Sequence, residues 1–181
     1  MKDTKAIVFS YPDHRVSPAL LFWLLDIGIA RQDILFTRSG GRDVCTGYNF
    51  GIRSALESDA DSFIFADNDI VPDAGTTPEF FATEADLVCA KYDIACDCAW
   101  KNPLDFHTGL WRASRSALET IGLPAFRWPQ SADGARLLHC PCTGFARRAR
   151  KLGIKTAWGG EVGHAPSRRD GRRDVLIFPA G

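Results

Sequence analysis

The chain has 181 residues, of which 45% are hydrophobic and 24% charged, and this is enough apolar material for one globular domain with its own core. No apolar run approaches the roughly 20 residues that span a bilayer. The first residues do not resemble a signal peptide, so we expect a cytoplasmic protein with no membrane span.

The net charge is zero, but residues 1–100 carry 8 Lys and Arg against 16 Asp and Glu, whereas residues 101–181 carry 14 against 6. The acidic part suits a metal site and the basic part suits a phosphate or an anionic acceptor, although two solvated faces would show the same asymmetry.

Short apolar runs alternate with segments of helical periodicity along the chain. The predicted strands are 6–9, 33–37, 62–66, 86–91, an extended stretch at 106–111, and 154–158. The predicted helices are 18–27, 44–58, 77–84, 116–121 and 143–152. Such alternation predicts an α/β fold whose sheet is parallel in its first half, with loops at 93–105 and 125–135.

Local signals predict where several helices begin and end. Ser17 followed by Pro18 is typical of a helix start, with Ser17 as the cap. Ser116 and Glu119 have the spacing of a capping box, and Gly122 is typical of the residue that ends a helix.

Three carboxylates, Asp67, Asp69 and Asp73, follow the apolar strand 62–66 within seven positions. Neighbouring carboxylates repel each other, and a bound divalent cation offsets that repulsion. Carboxylate oxygens are the ligands that Mg²⁺ and Mn²⁺ prefer, and ligands of α/β sheets bind beyond the carboxyl ends of the strands. A solvated acidic turn, with Asp73 as a helix or turn cap, is the alternative interpretation.

Six cysteines occur, and four of them form two C-x-C pairs, Cys96 with Cys98 and Cys140 with Cys142. His139 lies next to the second pair. Structural zinc sites usually show a wider C-x(2–4)-C spacing, so the pairs match that pattern only weakly. A zinc or redox cluster and buried, reduced thiols both remain open as interpretations.

Residues 62–72 resemble the D-x-D segment of GT-A glycosyltransferases, especially the family 2-like and related short bacterial or phage enzymes. Residues 47–56 are similar to the helix that precedes this segment in the family, except that Tyr48 stands where Arg is common. Further similar segments are 107–126, 143–155 and 162–164, so the resemblance covers most of residues 5–165.

The resemblance implies a single-domain GT-A nucleotide-diphospho-sugar transferase, an α/β/α sandwich with a mostly parallel central sheet over residues 1–181. Residues 1–100 would form the nucleotide- and metal-binding half, residues 101–165 the acceptor side, and residues 166–181 a basic tail. It also implies that Mn²⁺ or Mg²⁺ binds between the protein and a nucleotide-diphosphate sugar. The nucleotide-binding residues implied are Ser10, Tyr11, Arg42, Asn49, Asp67 and Asn68, and the metal-binding residues are Asp67, Asp69 and His164.

A catalytic base is harder to assign, because the family's acidic residues before the Arg-rich helix are replaced here by His139-Cys140-Pro141-Cys142. Asp105, Asp133 and Glu161 in the flanking segments are candidate bases for deprotonating an acceptor hydroxyl. A retaining reaction that needs no such base, and a copy that binds without turnover, also remain open.

The sequence therefore predicts a metal-dependent, hexosyltransferase-like enzyme that moves a sugar from a nucleotide-diphosphate donor to an acceptor hydroxyl. The acceptor can be a glycan, a protein or modified phage-type DNA, and a large acceptor or a partner chain, including a second copy, could complete the site. Two other classes remain as alternatives: a nucleotidyl-transferring enzyme, and a nucleic-acid-associated module with a Cys/His zinc site.

Overall fold

The computed structural model describes residues 3–10, 16–38, 44–92, 106–130, 132–134 and 140–164, without the side chains of Arg38, Tyr92 and His164. Several predictions fall outside the described residues. They concern Tyr11, Arg42, Asp105, Cys96, Cys98, His139, the loop 93–105 and the tail 166–181.

Seven strands and five α-helices make up the described part of the chain. The strands are β1 (Thr4–Ser10), β2 (Ile34–Arg38), β3 (Ser62–Asp67), β4 (Ile70–Pro72), β5 (Leu87–Tyr92), β6 (Leu110–Ser114) and β7 (Thr156–His164). The helices are α1 (Pro18–Asp26), α2 (Val44–Leu56), α3 (Thr76–Ala82), α4 (Arg115–Ile121) and α5 (Pro141–Lys151).

All the strands belong to one sheet in the order β2-β1-β3-β6-β5-β7-β4. Strands β1, β2 and β3 are mutually parallel, as predicted, and β5 is parallel to β7. The pairs β3–β6, β5–β6 and β4–β7 are antiparallel, so the second half of the sheet is mixed. The predicted α/β fold is confirmed, while the short strand β4 was not predicted because three residues carry no periodic signal.

Successive residues of each strand enter two different cores. Ile7 and Phe9 of β1 belong to the core that α2, α4 and α5 cover, whereas Ala6 and Val8 belong to the core that α1 and α3 cover. Strands buried on both faces are apolar at every position, which explains why they were recognisable as continuous apolar runs. The result is the predicted three-layer arrangement with the sheet in the middle.

The sheet curls strongly at the end of β3. In the strand order, β3 and β4 are four positions apart, which in a flat sheet would be about 19 Å. Along the chain, only Asn68 and Asp69 separate the two strands, and three Cα–Cα steps cover at most about 11 Å. The edge strand β4 must therefore curve back toward the carboxyl end of β3, which forms a concave end of the sheet there.

Two predicted caps differ from the observed ones. Ser114, and not Ser116, caps α4, because its Oγ accepts a hydrogen bond from the Ala117 amide while Ser116 already lies inside the helix. Ser17 is the N-cap residue of α1, but its side chain makes no capping bond; Pro18 has no N–H to satisfy, and the Ser17 amide binds the Asn68 carbonyl instead. The stretch 106–111 becomes a strand only from Leu110 onward.

Helix α2 approaches β1 closely because Gly51 has no side chain. A Cβ at this position would lie 2.4 Å from Cε1 of Phe9 and 3.1 Å from Cγ2 of Ile7. The Phe9 ring cannot swing away easily, since it packs edge-on against Tyr48 and parallel to Phe65. Gly51 thus sets the distance between the helix and the sheet.

We expect Gly51→Ala to destabilise the protein despite its better helix propensity. Alanine gains up to about 1 kcal/mol in a helix over glycine, but overpacking a filled core costs about 1–3 kcal/mol. Urea unfolding should show a net loss of about 1 kcal/mol or more. The control is Ser54→Ala on the same helix, which introduces no such contact; if Gly51→Ala proved as stable as that control, the close packing of α2 on β1 would be refuted.

Candidate functional site

The acidic turn at the end of β3 is held by three backbone hydrogen bonds. The Asp67 amide donates to the Gly109 carbonyl at 2.7 Å, and the Asn68 amide donates to the Phe9 carbonyl at 3.1 Å. The Asn68 carbonyl accepts from the Ser17 amide at 2.7 Å. These bonds join the turn to the end of β1, to the start of α1 and to the segment before β6, so its position is set by three separate parts of the fold.

The Asp67 carboxylate is oriented by a buried tyrosine. The Tyr48 hydroxyl donates to Oδ1 and Oδ2 of Asp67 at 3.0 and 3.2 Å, and it accepts a hydrogen bond from the Thr108 hydroxyl at 3.0 Å. Tyr48 is the residue at which the helix departs from the family pattern. It supplies a neutral donor where arginine would supply a charged one, so it fixes the carboxylate without neutralising it.

The roles of Tyr48 and Thr108 are not evident from their sequence positions. The signal was present, because a buried polar residue on the apolar face of an amphipathic helix usually has a hydrogen-bond partner. The partner could not be identified from sequence, since 19 residues separate Tyr48 from Asp67 and 60 separate it from Thr108.

Asn49, a predicted nucleotide ligand, makes a structural contact. Its Nδ2 donates to the Phe126 carbonyl at 2.8 Å, and its Oδ1 accepts from the Phe126 amide at 2.9 Å. This two-point contact ties α2 to the segment that follows α4. A nucleotide contact by Asn49 stays a prediction, and it would have to be made alongside these two bonds.

Asp73 caps α3. Its Oδ1 accepts from the Thr76 amide at 2.9 Å and from the Thr76 hydroxyl at 3.1 Å. The alternative interpretation of the acidic cluster therefore holds for this carboxylate, which serves the helix start. Asp67 and Asp69 remain as the pair at the strand end, both half-buried.

The backbone of His164 lies beside the acidic turn. Strand β4 pairs with β7 so that Ile70 is opposite His164 and Pro72 is opposite Val162. Since Ile70 directly follows Asp69, two residues predicted as metal ligands occupy neighbouring backbone positions, although 95 residues separate them in the sequence. The sheet curl brings both of them toward the end of β3.

Two glycines fix this end of β7 against α3. A Cβ on Gly159 would lie 2.9 Å from the Glu79 carbonyl oxygen, and one on Gly160, whose φ is +74°, would lie 2.7 Å from the Thr76 carbonyl oxygen. The Thr76 hydroxyl also donates to the Glu161 carbonyl. Close packing of α3 on β7 thereby determines where the strand ends and where His164 is placed.

Two carboxylates at the strand end fit a divalent cation that is bound partly by the protein and partly by a phosphate-containing ligand. Among the described side chains, which do not include that of His164, no three His, Cys, Asp or Glu groups gather closely enough to hold a metal. A fully protein-bound site would need more ligands, but Mg²⁺-type ions are commonly held by one or two carboxylates together with substrate phosphates. The donor chemistry of Asp67 and Asp69 suits such an ion.

The remaining predicted residues are placed as follows. Ser10 is buried at the carboxyl end of β1, opposite Arg38 in the sheet register. Glu161 is exposed on β7, and its Oε1 lies 3.0 Å from Nζ of Lys91. Asp133 is exposed in the segment 132–134. A base role for Glu161 or Asp133 stays a prediction.

Part of the positive charge of the C-terminal half has a structural use. Three guanidinium groups donate to backbone carbonyls, mostly near the ends of helices, where carbonyls lack helical partners. The pairs are Arg112 with Phe80 and Thr83, Arg115 with Leu56, Ser58 and Ala60, and Arg148 with Ile121 and Pro124. Burial lowers the pKa of Arg112. These arginines are therefore committed to the fold, not to an anionic ligand.

Two of the cysteines are core residues. Cys45 and Cys89 are buried among apolar side chains, and burial raises the pKa of Cys89 to about 12. For these two, the interpretation as buried thiols is confirmed.

Comparison of the structure with solved structures gives three informative similarities. The chain is similar to Drosophila β-1,4-galactosyltransferase 7, solved with manganese, UDP-Gal and xylobiose, at a TM-score of 0.59 and 15% identity over 96% of this chain and 77% of that one. It is similar to glucosyl-3-phosphoglycerate synthase of Mycobacterium tuberculosis, solved with Mn²⁺, UDP and glucosyl-3-phosphoglycerate. The TM-score is 0.56 and the identity 14%, over 93% of this chain and 74% of that one. It is also similar to a Bacillus anthracis protein named as a glucose-1-phosphate thymidylyltransferase. The TM-score is 0.52 and the identity 12%, over 87% of this chain and 86% of that one.

No family model and no curated protein sequence matches the chain significantly. None of the helices within the described residues is both long enough and apolar enough to cross a bilayer. The structural similarities do not favour the zinc-binding nucleic-acid module. Together with the strand order and the three layers, they show that this chain has the GT-A fold of the nucleotide-diphospho-sugar transferases.

Proposed function

We propose that this protein is a metal-dependent glycosyltransferase that moves a sugar, of the hexose type, from a nucleotide-diphosphate donor to an acceptor hydroxyl. The observation that carries the proposal is the Asp67-Asn68-Asp69 turn, fixed at the concave carboxyl end of the sheet with its first carboxylate oriented by Tyr48. Ligands of open α/β sheets bind at this end. Similar folds solved with Mn²⁺ and UDP support the same assignment.

In this proposal, Asp69 and His164 hold the divalent ion, Mn²⁺ or Mg²⁺, and Asp67 binds the ion or the donor ribose. Bound there, the ion would neutralise charge on the departing diphosphate. The chain itself supplies the orientation: Tyr48 keeps the Asp67 oxygens in place, so little ordering remains to be done when the donor binds. The donor nucleotide would contact Ser10, Tyr11, Arg42 and Asn68, which belong to or follow the ends of β1, β2 and β3.

Deprotonation of the acceptor is proposed for one of three carboxylates, Asp105, Asp133 or Glu161. Glu161 has the best-defined position, since it lies on β7 three residues before His164. A retaining reaction would proceed without any of them. The acceptor is a glycan, a protein or modified DNA bearing a hydroxyl group.

Nucleotidyl transfer is the second candidate, because the B. anthracis protein shares the fold. It would use a nucleoside triphosphate and a sugar phosphate in place of a nucleotide sugar. The sequence has no glycine-rich phosphate loop with a lysine, which weighs against this candidate.

A thermal-shift screen with and without Mn²⁺ tests the proposal. UDP, GDP and dTDP, and their sugars, should raise the melting temperature only when Mn²⁺ is present. At a ligand concentration 100-fold above Kd, the native state gains ~2.7 kcal/mol, roughly 5–10 °C for a chain of this size. A shift produced by nucleoside triphosphates with sugar phosphates, and not by nucleotide diphosphates, would favour nucleotidyl transfer instead.

Asp69→Ala should remove the Mn²⁺-dependent binding of the nucleotide diphosphate without unfolding the protein, because it deletes a metal ligand and relieves carboxylate repulsion. Calorimetric titration measures the binding. The matched control is Asp73→Ala, which removes the α3 cap: it should cost about 0.5–2 kcal/mol of stability but leave binding intact. Equal loss of binding in both variants would contradict the separate roles of the two carboxylates.

Tyr48→Phe should weaken Mn²⁺-dependent nucleotide binding about 5- to 10-fold, since a hydrogen bond to a charged group contributes about 1.5 kcal/mol or somewhat less when partly exposed. The ring packing against Phe9 and Phe126 is retained in this variant. Thr108→Val, which removes only the bond to the Tyr48 hydroxyl, should bind nearly as the parent does. Unchanged binding by Tyr48→Phe would show that Asp67 does not need this orientation.

A further inference from the structure

Two thiols meet at the start of α5. Cys140 is the N-cap residue and Cys142 is the second residue of this 11-residue helix, with Pro141 between them. Their Sγ atoms are 2.7 Å apart, although no disulfide joins them. Because a disulfide bond is about 2.05 Å long, a small displacement of one side chain would bring the two sulfurs to bonding distance.

The two thiols have different surroundings. Cys140 is half-buried, whereas Cys142 is only 4% exposed. The contact with the Cys142 sulfur lowers the pKa of Cys140 despite the partial burial of Cys140. The neighbouring Cys140 sulfur and burial raise the pKa of Cys142. Cys140 is thus the more accessible of the two sulfurs and the one whose thiolate form is favoured, while Cys142 is buried beside it.

The difference between an accessible Cys140 and a buried Cys142 matches what thiol chemistry requires of two cysteines that form a disulfide reversibly. The thiolate is the nucleophile, and exposed, low-pKa cysteines react first with oxidants. A neighbouring thiol then resolves the first product into a disulfide. Cys89, buried and with its pKa raised to about 12, shows the contrasting environment of an inert thiol in the same protein.

Two other uses of the pair fit less well. Structural zinc sites usually show a C-x(2–4)-C spacing, which is wider than the C-x-C spacing of these two cysteines. A disulfide stabilises a protein mainly by restricting the unfolded chain, and the effect is larger when the closed loop is long. A disulfide between Cys140 and Cys142 would close a loop of three residues and restrict the unfolded chain very little. A reversible dithiol–disulfide role needs only the two sulfurs that meet here.

We propose that Cys140 and Cys142 form a dithiol–disulfide pair that is oxidised by low-molecular-weight disulfides, with Cys140 as the attacking sulfur. The Cys140 thiolate attacks one sulfur of glutathione disulfide and releases one glutathione thiolate. Cys142 then loses its proton and attacks the Cys140 sulfur of the mixed disulfide, which releases the second glutathione. The protein loses two electrons and two protons, and glutathione disulfide is reduced to two thiols.

The helix start favours the return to the reduced form. Helix amides at the N-terminus stabilise negative charge, so they stabilise the Cys140 thiolate and make it a good leaving group. The pair therefore constitutes a modification site that reducing agents can reverse. The proposal for this pair does not depend on the proposed function.

The test follows the peptide that carries both cysteines. The full chain with Cys96→Ser and Cys98→Ser, which prevents pairing with the other C-x-C motif, is treated with glutathione disulfide, alkylated with iodoacetamide and digested with trypsin. The peptide 137–147 contains Cys140 and Cys142. It should have lost two hydrogen atoms and carry no alkyl group, and dithiothreitol before alkylation should restore both alkylation sites.

Single variants distinguish the two roles. Cys142→Ser should stop at glutathione attached to Cys140, and Cys140→Ser, which keeps a good capping residue, should leave Cys142 unmodified. Cys45 and Cys89 should stay unmodified in the folded protein. The proposal is overturned if peptide 137–147 is doubly alkylated after oxidation, if Cys142 reacts as fast as Cys140, or if purified protein holds stoichiometric zinc that Cys140→Ser releases.

Discussion

The Asp67-Asn68-Asp69 turn, which puts two carboxylates at the end of a buried strand, is the feature that the surrounding structure has to hold in place. Asp67 and Asp69 are attached to a strand whose interior residues are fully buried, so the fold must hold the charges in place from the sides. Backbone bonds to Phe9, Gly109 and Ser17 do this for the main chain, and Tyr48 does it for the Asp67 side chain. The Tyr48 hydroxyl reaches Asp67 only because Gly51 lets α2 pack tightly on β1.

The second half of the site depends on the curl of the sheet. The chain leaves β3, turns within two residues and enters the edge strand β4, which pairs with the end of β7. Gly159 and Gly160 allow α3 to pack closely on β7, and the Asp73 cap fixes where α3 begins. His164 is consequently brought beside Asp69 by packing at some distance from either residue, and small residues are as important to the site as charged ones.

The patterns along the chain were sufficient to predict the secondary-structure elements but not the contacts between those elements. The buried strands were predictable because both faces are apolar, and the α/β class followed from their alternation with helices. Strand β4 was too short to detect, and the α4 cap was misplaced by two residues because Ser114 and Ser116 both fit the local pattern. The Asp67–Asp69 turn was recognisable from its strand, whereas the support by Tyr48, the curl of the sheet and the Cys140–Cys142 contact depend on residues that meet only after folding.

The polar groups that support the site also bear on why a metal would be needed. Tyr48 is a neutral donor, so it orients Asp67 without offsetting the charge of that carboxylate. Arg112, Arg115 and Arg148 bind backbone carbonyls, and turning any of them toward a diphosphate would break the contacts that hold helices to the sheet. A cation held by the carboxylates would supply positive charge that a diphosphate requires. The metal dependence proposed for this protein thus agrees with the structural use of these three arginines.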